Sequence, residues 1–515
     1  MNNTGEEHIM ARDGARMRRA RPAAAETETP VRDRGLHYGA SAAYDPLPRN
    51  QVLQVIEAAI GHLEIAGAGF EAGTEAIELF RAAGCAVSAE GIVRIPSELV
   101  RESLASVAKS VRLWDRDGQR YIELDNHHTW FFPGMTCIKV YDNGTGESRA
   151  STRADLETIT RVADALPNID GACIACKNVA NSDIHGEIDE FSAMAENTTK
   201  PLEYLCEHAD SLATVIEMAS VIRGGREALA AKPYFLQIVT PLPLDYHATH
   251  IDQVIMAARA GVPVSVGTLP IGGASTPITM AGSMTHSLAT DFAGMVLGQL
   301  ARRGSCVIGS SDVCFMEPAT GGIGNFVYTS LADMAMCQIR RELGLPSFTG
   351  IGGTSNARRF DQDAVWELST NLMQAFYSRP ATLDYLGSLD MGLTYSLPAL
   401  LLCDELAGML RTFWQGVRID EDTLATDLIR AVGPRGNFLA HRHTVSHCRE
   451  QLWPARYLAA NMPLSNDDKP DLDLLQRIDA HLRRILAEHH PEPLKPEILD
   501  AMRVIQARFK ARYAA

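Results

Sequence analysis

The sequence predicts an α/β fold in which a closed (β/α)8 TIM barrel follows an N-terminal α+β extension and precedes C-terminal helices. Beyond about residue 151, short apolar runs alternate with amphipathic segments, the pattern of parallel strands joined by crossover helices. Seven or eight such units favour a closed barrel over an open sheet. The first of these strands lacks the glycine fingerprint of a dinucleotide-binding turn, which weakens the open-sheet alternative further.

The chain divides into four parts on this interpretation. Residues 1–36 are rich in arginine and alanine with interspersed glutamates, and we expect a disordered tail. Residues 37–150 form the α+β extension, with helical periodicity at 48–80 and a hairpin within 130–150 whose turn contains Asn143 and Gly144. Residues 151–450 form the barrel, and residues 451–515 form a charged, helical C-terminal segment.

The barrel strands are expected at seven short apolar runs. They lie at residues 169–177, 202–206, 234–239, 263–267, 306–310, 347–349 and 382–386. Helices of one to two dozen residues fit between them, and the first begins after an N-cap signal at 151–155.

Charge and composition exclude several classes of protein. The net charge of −15 argues against a nucleic-acid surface and against an anionic membrane surface. No apolar run approaches the roughly 20 residues of a membrane-spanning helix, and no apolar segment of a secretory signal follows the N-terminal arginines. Ten cysteines lie mostly within apolar runs, so we expect reduced core thiols in a cytoplasmic protein.

In a (β/α)8 barrel the active site lies at the carboxyl ends of the strands, which selects the candidate residues. Polar and aromatic candidates at these ends, with Asp312 and Asp384 beside them, are Glu203, Tyr204, Gln237, Glu317, Asn356, Arg358 and Tyr385. Two loops are rich in glycine, which allows a ligand to approach the backbone closely. We expect either tight turns there or a surface for a bulky cofactor, formed by Gly272, Gly273, Gly352, Gly353 and Ser310.

Two sequence patterns raise the question of a metal. Cys173 and Cys176 match C-x-x-C, but the pair stands alone within an apolar, strand-like run, which favours core packing. His441, His443 and His447 lie close together without an H-E-x-x-H pattern, which favours a structural cluster. We therefore predict no metal site.

Several segments together resemble the trimethylamine methyltransferase family, over residues 52 to 454. They are residues 163–170, 196–201, 260–263, 272–282, 344–346, 392–394, 403–405 and 438–444. The resemblance implies a TIM barrel that demethylates a small amine.

Archetypal members carry pyrrolysine on the segment similar to residues 350–356, where this chain has only ordinary residues. The chain therefore resembles the pyrrolysine-free branch, whose known members demethylate quaternary amines such as glycine betaine. Relatives often have a His-Asp pair where this chain has Asp384 and Tyr385.

The resemblance implies transfer of a methyl group from a quaternary or tertiary methylamine, foremost glycine betaine or a related betaine, to Co(I) of cobalamin. Because no segment resembles a cobalamin-carrying domain, we expect a separate corrinoid protein as partner, and a homo-oligomer. Glu203, Tyr204, Glu317 and Tyr385 are candidates for holding a cation, and Gln237, Asn356 and Arg358 for holding a carboxylate. The alternatives are a betaine sensor without turnover, or another barrel enzyme such as a lyase with Lys177 as Schiff base.

Overall fold

The computed structural model describes residues 43–324, 326–457 and 472–513. The predicted N-terminal tail at 1–36 lies outside these residues. Within the described part of the chain, no helix combines the length and the apolar character needed to span a bilayer.

Seventeen helices are found in the described residues. In chain order they are α1 (Arg49–Ile65), α2 (Glu75–Ala82), α3 (Ser97–Ser106), α4 (Arg153–Ala165), α5 (Ile184–Asn197), α6 (Ala209–Arg223), α7 (Arg226–Ala231), α8 (Ala248–Ala260), α9 (Met280–Ala301), α10 (Phe326–Glu342), α11 (Gln362–Tyr377), α12 (Leu397–Gln415), α13 (Glu421–Leu424), α14 (Thr426–Val432), α15 (Arg442–Gln451), α16 (Leu474–Glu488) and α17 (Pro496–Arg512).

The same residues contain 21 short strands. They are β1 (Ala68–Phe70), β2 (Ala86–Val87), β3 (Ile92–Arg94), β4 (Val111–Trp114), β5 (Tyr121–Leu124), β6 (Trp130–Pro133), β7 (Lys139–Asp142), β8 (Glu147–Ala150), β9 (Ala172–Cys173), β10 (Leu202–Leu205), β11 (Phe235–Val239), β12 (Asp245–Tyr246), β13 (Val264–Val266), β14 (Ile271–Gly272), β15 (Val307–Gly309), β16 (Cys314–Met316), β17 (Ile323–Gly324), β18 (Phe348–Thr349), β19 (Thr382–Leu386), β20 (Ser388–Leu389) and β21 (Thr394–Tyr395).

Eight parallel strands form the barrel. One sheet has the order β15-β13-β11-β10-β9 and another the order β18-β19-β6. β6 joins β9 through the Asp170 amide, which donates to the Phe131 carbonyl at 2.8 Å. β15 joins β18 through the Arg340 guanidinium, which donates to the carbonyls of Phe348 (3.3 Å) and Ser311 (2.8 Å). The ring confirms the predicted (β/α)8 TIM barrel.

Each of the seven predicted strands contains a barrel strand, and β6 is the eighth. β6 lies in the range predicted for the extension, within the predicted hairpin, but it pairs in parallel with β19. Only β7 and β8 form the hairpin. All four residues of β6 are buried, as expected for a parallel strand covered on both faces. The barrel sheet therefore begins before residue 151.

The flanking segments cover the outside of the barrel. In the extension, β1 pairs with β3 and with β12, and α1 packs on α9. At the C-terminus, α16 packs on α12, and α17 packs on α6. Lys510 on α17 forms an ion pair with Asp189 at 2.6 Å, which fixes α17 to α5 as well. The C-terminal helices thus pack on the outer helices of the barrel.

Candidate functional site

Two carboxyl groups face each other inside the barrel, Glu203 on β10 and Asp384 on β19. Both side chains are fully buried, and apart from the neighbouring Asp384 carboxyl neither carboxylate oxygen of Glu203 has a hydrogen-bond partner among the described residues. Burial raises the pKa of Glu203 to about 8. Burial, together with the neighbouring Glu203 carboxyl, raises the pKa of Asp384 well above its usual range. The pair therefore carries at most one negative charge near neutral pH.

A second carboxyl pair, Asp312 and Asp333, lies at the rim between β15 and β18. The Gly350 amide donates to Asp312 at 3.0 Å, and the Thr349 hydroxyl donates to Asp333 at 2.9 Å. Burial raises the pKa of Asp312 to about 7, and burial together with Asp312 raises the pKa of Asp333 well above its usual range. Asp312 also raises the pKa of Asp384, so the two pairs act on each other.

The polar surface inside the barrel is not satisfied by the chain itself. Thr382 donates to one oxygen of Asp384 at 3.0 Å, but the other oxygen of Asp384 has no partner among the described residues. The Ser265 hydroxyl on β13 is also fully buried without a partner there. Because buried polar groups are normally hydrogen-bonded, this set has the polar capacity to bind a ligand or ordered water inside the barrel.

Tyr385 extends this interior toward the rim. Its backbone has φ +63°, which is unfavourable for a side chain with a Cβ atom, and the register of β19 shifts at this point. The ring packs on Gly350, where an added Cβ would lie 2.3 Å from a ring carbon. Burial raises the pKa of the Tyr385 hydroxyl, with contributions from Asp312 and Asp384. The kinked strand thus places a neutral aromatic ring beside both carboxyl pairs.

Tyr204 and Gln237 lie on the opposite face of their strands from Glu203. The Tyr204 hydroxyl donates to the Glu187 carbonyl on α5, and its ring packs edge-on against Phe191 with centroids 5.2 Å apart. The register pairs Tyr204 with Gln237, so both side chains point toward the helices. Gln237 donates to the Ile238 carbonyl at 2.8 Å. The structure does not bring either residue into the interior, because successive side chains of a strand alternate between its faces.

Three other predicted residues lie on loops. The carboxylate of Glu317 accepts from the Ala319 amide at 3.3 Å within the turn between β16 and β17. The Arg358 side chain is 87% exposed, with its Nε 3.6 Å from Asp390. Asn356 is half-buried, and its Oδ1 is buried without a partner among the described residues. Of the three, only Asn356 presents an unsatisfied polar atom.

The glycine-rich loops are used by the fold itself. The Gly273 amide donates to the Thr276 carbonyl at 2.9 Å in a tight turn, next to the buried Gly272. A Cβ on Gly353 would lie 2.3 Å from the Asp384 carbonyl, and one on Gly352 would lie 2.3 Å from the Ala375 Cβ. The Ser310 amide continues the barrel ladder by donating to Val266 at 2.9 Å. Tight turns and close packing account for these positions, and their contact with a cofactor stays a prediction.

The lysine and the two cysteines of the alternative hypotheses have structural environments. Lys177 is ion-paired, and the two cysteine thiols are buried. Lys177 lies 3.2 Å from Glu190 and 3.8 Å from Glu207, which favours a structural ammonium over a Schiff base. Cys173 and Cys176 are both buried, and burial raises their thiol pKa well above the usual range.

Sequence reasoning missed Ser265 and Asp333. A signal for Asp333 exists in α10, where an acidic residue and Arg340 fall on the face that also carries the buried Ala332 and Met336. Charges on the apolar face of a helix are rare unless paired or functional. Ser265 gives no such signal, because a single serine within an apolar run is common in buried strands.

A family model described as trimethylamine methyltransferase (MTTB) matches residues 11–514. The chain belongs to the trimethylamine methyltransferase family. It is therefore a methyltransferase, as the sequence resemblance predicted.

Relatives within the family are distant but cover most of the chain. The trimethylamine methyltransferase MttB of Desulfitobacterium hafniense (strain DSM 10664 / DCB-2) is 28% identical over 462 residues, covering 88% of this chain and 91% of the relative. The glycine betaine methyltransferase of strain Y51 is also 28% identical, covering 88% and 95%. Among solved structures, the monomethylamine methyltransferase of Methanosarcina barkeri has a TM-score of 0.45 at 12% identity, covering 88% and 96%.

Proposed function

We propose that this methyltransferase binds a small quaternary or tertiary methylamine inside the barrel and transfers one methyl group to Co(I) of a corrinoid. The substrate that we favour is glycine betaine or a related betaine, because a relative of this chain carries that name. The observation that carries the proposal is the buried Glu203–Asp384 pair, in which both Glu203 oxygens and one Asp384 oxygen have no donor outside the pair among the described residues.

Another buried carboxylate, that of Asp291, has the cationic partner that the Glu203–Asp384 pair lacks. Asp291 on α9 is equally buried, but it accepts from Arg340 at 2.8 Å and from the Ser311 hydroxyl. Such pairing is the normal condition for a buried charge. Glu203 has no cationic partner among the described residues, so a cation from outside the chain would favour its charged form.

A methylated ammonium has the chemistry that this interior accepts. A quaternary nitrogen has no proton to donate, so it is stabilised by charge and by ring faces more than by hydrogen bonds. The Glu203–Asp384 pair and Asp312 supply negative charge when they ionise, and the half-buried Tyr385 supplies a ring beside them. The carboxylate of a betaine would point toward the rim, where Asn356 and Arg358 follow β18.

A quaternary substrate needs no acid or base from the protein. When its N–CH3 bond breaks, the electron pair remains on nitrogen, so the substrate leaves as a neutral tertiary amine. The corrinoid, which we expect on a separate protein, would supply the nucleophile that accepts the methyl group. This chain binds the cation, orients one methyl group toward the open end of the barrel and excludes water.

The expected homo-oligomer also stays a proposal, supported by apolar surface near the C-terminal side of α12. Val417, Ile419 and Leu439 are all more than 70% exposed. Exposed apolar side chains of this size are expected at a protein interface if they form one patch. Light scattering after gel filtration measures the mass, and a monomer at micromolar concentration contradicts this expectation.

The test mixes the protein with cob(I)alamin and one methylated amine at a time, and follows the loss of cob(I)alamin absorbance. We expect turnover with glycine betaine or another quaternary amine and none with trimethylamine. A variant carrying both E203Q and D384N is expected to lose turnover, and E497Q, at an exposed residue on α17, serves as the matched control. Full turnover in the double variant would place the substrate elsewhere, and substrate binding without turnover by the wild type favours the sensor hypothesis.

A further inference from the structure

Three potential metal ligands converge outside the barrel, on two elements that follow α12. His443 and His447 are one helical turn apart on α15, so their imidazoles share one face, with ring centroids 4.3 Å apart. Asp422 comes from α13. One ligand atom from each of the three lies within 4.8 Å of the others, and no other trio of histidine, cysteine or acidic residues in the described chain is this compact.

We propose that His443, His447 and Asp422 bind a divalent transition-metal ion of the zinc class. The Nε2 of His447 lies 3.5 Å from an Asp422 carboxylate oxygen. A tetrahedral ion with ligand bonds near 2.1 Å separates its ligand atoms by about 3.4 Å. His447 and Asp422 therefore already have the spacing of a coordination shell, and the His443 ligand atom, within 4.8 Å of both, needs to approach by about 1.4 Å at most.

Hydrogen bonding alone explains the cluster poorly. The 3.5 Å between His447 and Asp422, and the 3.4 Å between His443 Nε2 and the Asp422 carbonyl, are longer than good hydrogen bonds. The Nδ1 of His447 is buried without a partner among the described residues. His441, by contrast, has a structural role, because its ring accepts from the His443 amide and caps α15. The structural cluster that the sequence suggested thus applies to His441 only.

The donor set selects the class of ion. Two imidazoles with one carboxylate suit Zn²⁺, Co²⁺ or Fe²⁺, whereas Mg²⁺ and Ca²⁺ prefer oxygen ligands only. Three protein ligands leave a fourth position for water or for a group from another molecule. The ion would also fasten α13 to α15, two short elements separated in sequence by α14.

The experiment measures metal content and is independent of methyl transfer. The full-length protein is stripped with a chelator, dialysed against Zn²⁺ and then against metal-free buffer, and analysed by mass spectrometry of the metal. We expect one Zn²⁺ per chain, displaced by Co²⁺ with a tetrahedral visible spectrum and not by Mg²⁺. No retained zinc, or equal displacement by Mg²⁺, overturns the proposal.

Variants identify the ligands. H443A with H447A is expected to abolish retention, and D422N to weaken zinc affinity at least tenfold while leaving both histidines in place. H490A removes an exposed histidine elsewhere and is expected to retain one ion per chain. Retention in the double variant, unchanged affinity in D422N, or equal loss in H490A contradicts the three-ligand site. Circular dichroism of each variant identifies any loss that is caused by unfolding.

Discussion

Removal of the Glu203–Asp384 pair tests the central claim that a buried carboxylate without a cationic partner in the described chain binds the cationic substrate. The pKa of Glu203 rises from an ordinary 4.5 to about 8. At about 1.4 kcal/mol for each pH unit, its charge costs about 5 kcal/mol more inside the barrel than in water. A cation about 4 Å away offsets about 4 kcal/mol of this cost at an effective dielectric constant of about 20. Charging of the pair and binding of the cation are therefore coupled.

This coupling predicts how affinity depends on pH. Below pH 8 a proton must leave the pair before the cation gains its full attraction, so affinity for tetramethylammonium should rise up to about tenfold per pH unit toward pH 8 and then level. In the variant with both E203Q and D384N, loss of about 4 kcal/mol should weaken binding by two to three orders of magnitude. The rise in cation affinity toward pH 8 should also be absent from this double variant.

The single variant E203Q gives a sharper result. Asp384 then no longer shares the interior with a second carboxyl, so its pKa falls, and a single rise in affinity should remain that follows the titration of Asp384 alone. Calorimetric titration at pH 6, 7, 8 and 9 measures all variants, with E497Q on α17 as control. Wild-type affinity and an unchanged pH profile in the double variant would refute the reasoning.

Three further predictions concern the ring, the barrel seam and stability. Y385F should retain cation affinity, whereas Y385A should weaken it about 5- to 30-fold, because loss of the ring removes about 1–2 kcal/mol of binding free energy. Calorimetry measures both variants, and an equal loss of affinity in the two would assign the effect to the hydroxyl. R340M leaves the fully buried Asp291 without its guanidinium partner, so the free energy of unfolding in urea titrations should fall by about 3–5 kcal/mol. Adding D291N to R340M should restore part of the lost stability. Because the folded-state pKa of Glu203 lies above its unfolded value, its contribution to stability is complete below about pH 4.5 and is lost as pH rises to about 8. E203Q should therefore gain stability relative to the wild type across that window, and a constant difference in the free energy of unfolding contradicts the raised pKa.

The barrel could be predicted from the sequence because its strands and crossover helices alternate in hydrophobic period. β6 was missed because its four buried residues precede an Asn-Gly turn signal, which assigned them to the wrong pairing. Strand-end position also identified Glu203 and Tyr385, together with Asp384 and Asp312 beside them.

The direction of each side chain could not be predicted in the same way. In a strand covered on both faces, apolar and polar residues do not alternate, so the sequence does not mark whether Glu203 or Tyr204 faces the interior. The positions of Glu317 and Arg358 depend on loop conformation, which local periodicity does not encode. Asp422 lies 21 residues before His443, and only the packing of α13 on α15 brings them together.

The junction between β15 and β18 differs from the other strand junctions of the barrel in how the two strands are connected. We call this junction the seam. Neighbouring barrel strands elsewhere are joined by backbone hydrogen bonds, whereas across this seam the described residues connect through the side chains of Arg340 and Asp312. Side chains can follow a small sliding movement that a ladder of amides resists. We therefore expect the wall beside the rim carboxyls to be the part of the barrel that can shift, while the remaining seven junctions keep their register.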